Sequence, residues 1–213
     1  MARRIISLVF GLYLYGLGLT FLVYNGLGVD AWNVFHGGMA ARFGISLGSA
    51  YVVTSVIFMV IALLLGEPIG IGTLGNAVLI GVFMQFHMNL GIFTTMTTPL
   101  GSGAFLVIGL TIVGFATYFY MAPQLGAGPR DSFYVAICKR TGLQMGYAKI
   151  IAETVVVILG IFLGGSFGIG TIIGALSGGL FVQLAFKLFH FDARTVHHES
   201  LTESLGKLHE HKL

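Results

Sequence analysis

The sequence predicts an all-α membrane protein, a polytopic helical bundle of two homologous repeats. Three observations carry that expectation. Hydrophobic residues make up 56% of the 213-residue chain and charged residues only 9%, at a mean hydropathy of +0.92; a soluble domain carries about a quarter charged residues. Six segments, approximately 5–24, 47–65, 71–91, 103–122, 146–164 and 169–190, approach the ~20 apolar residues that cross a ~30 Å hydrocarbon core. The chain also repeats itself. Arg42-Phe43-Gly44-Ile45-Ser46-Leu47-Gly48 recurs 98 residues later as Arg140-Thr141-Gly142-Leu143-Gln144-Met145-Gly146, and Gly66–Thr73 (GEPIGIGT) as Gly164–Thr171 (GGSFGIGT). The same offset joins Ala77 to Ala175, Gly81 to Gly179, Phe83 to Phe181 and Gln85 to Gln183. Upstream the best match of glycines slips to 100, placing Gly26-Leu27-Gly28 against Gly126-Ala127-Gly128. The repeats divide the chain into 1–92 and 93–190, followed by a tail at 191–213.

The elements follow in order. Arg3-Arg4 and the apolar run from Ile5 resemble a signal sequence, but the run continues to about Tyr24 without an A-x-A site, so it is expected to be a first transmembrane helix. After it, and again after the fourth long segment, a glycine cluster precedes a short helical segment, about 30–42 and 130–141. At 1.5 Å per residue each reaches under about 20 Å, too short to span. Asp30 and Asp131 suit exposed helix-start N–H groups, and Pro129 suits a first helical position. The tail carries four acidic and three basic residues, against twelve charges in the preceding 190. Within it Ser200-x-x-Glu203 has the form of a capping box, with Leu201, Leu205 and Leu208 on one side of an amphipathic helix.

Topology turns on the short helices. If each is re-entrant or interfacial, each repeat has three spans and the second repeat is inverted, giving 3+3 spans. If they cross, each repeat has four spans and the repeats are parallel. Both schemes put the termini in the cytoplasm under the positive-inside rule. The inverted scheme is the expectation, because thirteen-residue helices span poorly.

Polar residues at membrane depth are costly and face a cavity or a partner. The two glycine-bounded helix starts provide one group, as ligand-binding candidates: Gly28, Asp30, Trp32 and Asn33 in the first repeat, Gly128, Arg130, Asp131 and Ser132 in the second. Half-helix N-termini facing one another near the midplane present N–H groups and positive dipole ends to a polar or anionic ligand. The plainer alternative is a pair of capped interfacial turns, with Trp32 as a headgroup-level anchor. Gln85 and Gln183, each twelve residues beyond its Gly-Ile-Gly-Thr, either line a pathway or bridge helices. His87 and Asn89 are expected at the interface. Glu153, where the first repeat has Ser55, is the candidate coupling acid, with Lys149 one turn before it. Glu67 falls in a turn and is expected to be solvated.

Some chemistries find no support. His36 stands alone on a short helix, and His197, His198, His209 and His211 in the tail lack zinc-site spacing, so no metal is expected. One cysteine, Cys138, excludes an intrachain disulfide. No nucleophile motif, P-loop or dinucleotide fingerprint appears, so neither an enzyme nor a cofactor is expected. The lack of a basic stripe argues against nucleic acid as a partner.

Gly26-Leu27-Gly28-Val29-Asp30-Ala31-Trp32, Gly128-Pro129-Arg130-Asp131 and the paired Gly-Ile-Gly-Thr turns, over approximately residues 5–190, resemble the YczE/YitT-like family of small bacterial membrane proteins. The resemblance implies a bacterial inner-membrane location and supplies no catalytic residues. The functional expectation is a small secondary transporter or facilitator for a small polar or anionic solute, held between the two helix starts. Six spans are few for a whole pathway, which points to a homodimer in the bilayer. The alternative is a non-transporting accessory protein that binds a membrane enzyme or sensor.

Overall fold

The computed structural model describes residues 1–142, 145–191 (backbone only over 145–150), 199–201 and 203. These residues contain eight helices: α1 (Ala2–Tyr24), α2 (Ala31–Phe43), α3 (Leu47–Leu64), α4 (Ile71–Asn89), α5 (Pro99–Met121), α6 (Pro129–Thr141), α7 (Met145–Phe162) and α8 (Ile169–Leu188). Five of them (α1, α3, α4, α5 and α8) are long and apolar enough to cross a membrane. The six long and two short segments expected within residues 1–190 are each present as a helix. The largest boundary error is α5, which begins at Pro99 rather than near 103, because Thr98 accepts a hydrogen bond from Gly101 N–H at 3.3 Å and Pro99 occupies the first turn.

Hydrocarbon does not drive apolar helices together, so close packing must hold them. The central seam joins α1 and α5, which run antiparallel. Arg4 at the start of α1 reaches Pro123 beyond the end of α5, while Tyr24 at the end of α1 accepts from Met96 N–H just before α5. Between those ends Gly18 and Gly109 each approach the partner backbone or its branched side chains. Leu12, Leu19, Leu22, Leu106 and Leu110 fill the rest of the seam. Helix α4 packs on α1 and α8 on α5; α3 packs on α4 and α6, and α2 on α3 and α7.

The Gly-Ile-Gly-Thr motif has a clear physical role in both copies. Its first glycine is the N-cap, and the threonine three residues on accepts that residue's N–H, Gly70 to Thr73 at 3.1 Å and Gly168 to Thr171 at 3.3 Å. The second glycine donates outward to a distant loop: Gly72 N–H to Leu125 O at 2.6 Å, and Gly170 N–H to Leu27 O at 2.7 Å. Each loop thus locks the start of the helix belonging to the other half. A Cβ on Gly70 or Gly168 would overlap the Leu125 or Leu27 carbonyl oxygen.

These locks correct the upstream alignment. Leu27 corresponds to Leu125, Gly28 (φ +114°) to Gly126 (φ +125°), and Gly26 (φ +76°) to Gln124 (φ +59°), an offset of 98 throughout. Trp32 is therefore the counterpart of Arg130, and Asn33 of Asp131.

One further expectation fails. Glu67 is not solvated: it is 6% exposed and both its oxygens meet Lys139 Nζ, at 2.8 and 2.9 Å, tying the α3–α4 turn to the end of α6. His87, in the last turn of α4, is 2% exposed and meets the Tyr13 ring edge-on at 4.8 Å. In the tail, Ser200 and Glu203 form the expected reciprocal pair, at 2.9 and 3.3 Å. Glu199 is salt-bridged to Arg4 at 2.9 Å, and Glu199 and Leu201 donate to Gln124 O and Ile69 O. Leu205, Leu208 and the four tail histidines lie outside the described residues, as does the Lys149 side chain.

Candidate functional site

Helices α2 and α6, thirteen residues each, meet near their N-terminal turns. Asp30 caps α2: its Oδ1 accepts from Trp32 and Asn33 N–H at 3.2 and 3.3 Å, and its Oδ2 from Asn33 Nδ2 at 2.6 Å. Across from it, Trp32 Nε1–H donates to Tyr134 Oη of α6 at 3.1 Å. Gly128 is the N-cap of α6, and the carboxylate of Asp131 in its first turn accepts from Tyr120 Oη at 2.9 Å. Ser132 is buried behind them.

Arg130 lies at the centre. Its guanidinium carbon lies over two aromatic rings, 4.6 Å from the Trp32 ring centre and 4.7 Å from that of Tyr51. Such stacking suits arginine, whose planar, weakly hydrated cation is attracted by a ring's negative face. Asp30, Tyr15 and Tyr134 complete its electrostatic surroundings. Its Nη2 is buried and makes no hydrogen bond. A buried charged donor left unmade is expensive, so such a group calls for an explanation. Arg130 and Asp30 are nevertheless both half-buried rather than sealed in.

Of the eight residues proposed from the two helix starts, Asp30, Trp32, Asn33, Arg130 and Asp131 thus come together, whereas Gly28 packs on Gly168 and Thr171 at the start of α8 and Gly128 lies beside Asn76 of α4. The remaining candidates lie elsewhere. Gln85 accepts from Gly48 N–H at 3.2 Å and donates to Asn89 at 2.7 Å, so it ties the start of α3 to α4. Gln183 is exposed on α8. Glu153, half-buried on α7, is in electrostatic range of Tyr134 and so borders the cluster. Trp32 is 4% exposed, which rules out a headgroup-level anchor.

Sequence reasoning missed the walls. Tyr15, Tyr51, Tyr120 and Tyr134 come from four different helices, and no spacing links them. His36, set aside as a lone histidine, is fully buried at the same junction, with its ring 5.2 Å from that of Tyr51 and its Nδ1 3.1 Å from Asn33 Oδ1. The one available signal was a histidine three residues after an asparagine on a short helix.

Fold and site together define a polytopic helical membrane protein with a charged, aromatic-walled cluster between two half-length helices. The model of the family described as "Family of unknown function (DUF6198)" matches residues 2–187, and the chain belongs to that family. It is 35% identical over 185 residues to an uncharacterized protein of Haemophilus influenzae, covering 85% of this chain and 82% of that one. It is 30% identical over 172 residues to the uncharacterized membrane protein YczE of Bacillus subtilis, covering 80% and 79%. The uncharacterized protein YyaS of the same species is 23% identical over 183 residues, covering 82% and 88%. The resemblance to YczE read from the glycine motifs is borne out. No solved structure matches.

Proposed function

We propose that the protein is a small secondary transporter or facilitator of the bacterial inner membrane, built as an inverted repeat, whose solute binds at the α2–α6 junction. The observation that carries this reading is the buried, hydrogen-bond-free Nη2 of Arg130 in a half-buried cluster. A guanidinium kept for structure alone would be satisfied by the protein; one kept for a ligand is satisfied by the ligand.

Inversion is supported by the antiparallel course of the equivalent helices α1 and α5 and by the reciprocal Leu27–Gly170 and Leu125–Gly72 locks. In a parallel duplication α1 and α5 would run the same way. Orientation is supported by charge: Arg4 and Glu199 lie together at one face with Ile69 and Pro123, and Lys139 and Arg140 join the adjoining Glu67 and Leu65. The positive-inside rule makes that face cytoplasmic, with the N-terminus there. Glu153 beside Tyr134 is the candidate coupling acid.

The accessory alternative draws on a different observation, an apolar groove of about 280 Å³ between α3, α6 and α7, lined by Phe58, Phe133, Ile137, Val155, Val156 and Leu159. A thermal-shift screen of the detergent-purified chain separates the two. Transport predicts stabilisation by at least one class among amino acids, small carboxylates and inorganic anions, lost in Arg130→Ala. No stabilisation by any class, with a stoichiometric protein partner retained in mild detergent, would replace this reading with the accessory one.

A further inference from the structure

The unsatisfied groups at the junction form a complementary pair. Arg130 Nη2 is a buried donor without an acceptor. His36 supplies the converse. Asn33 Nδ2 donates to Asp30, which orients the Asn33 amide and leaves its oxygen to accept from His36 Nδ1. The proton therefore sits on Nδ1, and His36 Nε2 is an acceptor. That Nε2 is also buried without a hydrogen bond. The two groups share a wall: Arg130 lies over the Tyr51 ring at 4.7 Å and the His36 ring meets it edge-on at 5.2 Å.

The geometry also restricts approach. With the Trp32 and Tyr51 rings both against the guanidinium, the unbonded Nη2 is what Arg130 has left for a ligand, and a carboxylate suits that donor. A simple anion would satisfy Arg130, leave His36 Nε2 without a donor, and face the carboxylates of Asp30 and Asp131. A simple cation would satisfy His36 and be repelled by Arg130. A molecule carrying both an oxyanion and N–H donors satisfies both groups.

Resting on the reading of this junction as a solute site, we propose that it binds a small zwitterion of the amino-acid class. The carboxylate accepts from Arg130 Nη2. The ammonium donates to His36 Nε2.

Trp32, the one tryptophan of the chain, stacks on Arg130 and reports binding by its own fluorescence. The detergent-purified full chain is titrated with glycine, acetate, methylamine and glycine betaine. Glycine is expected to give a saturable change. Acetate and methylamine, each missing one charge, are expected to bind roughly tenfold or more weakly. Betaine keeps both charges but has no N–H donor, and falls with them. His36→Phe keeps a ring against Tyr51 and removes the acceptor; it brings glycine down to the affinity of acetate and leaves acetate unchanged. Glycine binding no tighter than acetate, or undiminished in His36→Phe, would overturn the zwitterion and leave an anion site standing. No saturable change with any of the four would overturn both. Should His36→Phe fail to fold, the order of the four ligands on the wild-type protein decides the matter.

Discussion

Replacing Gly168 by alanine should destabilise the protein far more than any ordinary glycine-to-alanine change in a helix. Gly168 is in extended backbone (φ −161°), so alanine incurs no dihedral strain there. The new Cβ would instead overlap the Leu27 carbonyl oxygen and lie 3.2 Å from Gly28 Cα. The loop has little room to yield, since Asn25 Nδ2 donates to Gly28 O at 2.9 Å and Asn25 Oδ1 accepts from Leu27 N–H at 2.6 Å. Moving it breaks the 2.7 Å bond from Gly170 N–H to Leu27 O. Loss of that bond costs about 1–3 kcal/mol and the overpacking about 1–3 more. The sum is about 2–6 kcal/mol. At about 2–4 °C per kcal/mol for a chain of this size, the unfolding midpoint in detergent should fall by roughly 4–24 °C. Gly174→Ala is the control: it sits inside the same helix with nothing within 4 Å of its Cβ, so alanine should be neutral or slightly stabilising. Gly70→Ala, against Leu125, should behave like Gly168→Ala. Equal midpoints for Gly168→Ala and Gly174→Ala would refute the interlocked loops.

Three further outcomes follow from side-chain contacts. Arg4→Ala removes two donors to Pro123 O, at 2.8 and 2.6 Å, as well as the Glu199 pair, and should cost about 1–3 kcal/mol by thermal unfolding. Glu199→Gln keeps an acceptor for Arg4 and should cost under about 1 kcal/mol; the reverse order would show that the tail, rather than Pro123, is what Arg4 holds. Lys139→Met should cost roughly 1–2 kcal/mol by leaving the buried Glu67 carboxylate without its cation, discounted because Lys139 is itself 62% exposed; adding Glu67→Gln should recover part of the loss, and a neutral Lys139→Met would remove the pair from the account. Arg130→Lys keeps the charge and loses the stacked planar fork, so carboxylate affinity by Trp32 fluorescence should fall about tenfold; unchanged affinity would mean that only the charge is read.

The helices and their starts were legible because local chemistry marks them. Thr73 and Thr171 follow their glycines at capping distance, and apolar length distinguishes spans from half-spans. The glycine clusters also pointed to the junction that holds Asp30 and Arg130. They misled on register, because Gly26 has Gln124 as its counterpart: the backbone is left-handed at both positions, and only one carries the glycine that marks it. Glu67 was misplaced for a different reason: its burial depends on Lys139, more than seventy residues away in sequence. The aromatic walls had no local signature at all, since long-range packing alone brings Tyr15, Tyr51 and Tyr134 around Arg130 and Tyr120 onto Asp131.

The central claim is that Arg130 serves a solute that crosses the membrane. Its most direct test is uptake of radiolabelled glycine into proteoliposomes containing the purified chain. The account predicts uptake above protein-free liposomes for the wild type, abolished in both Arg130→Ala and Asp30→Asn. Flux unchanged in both variants would contradict it.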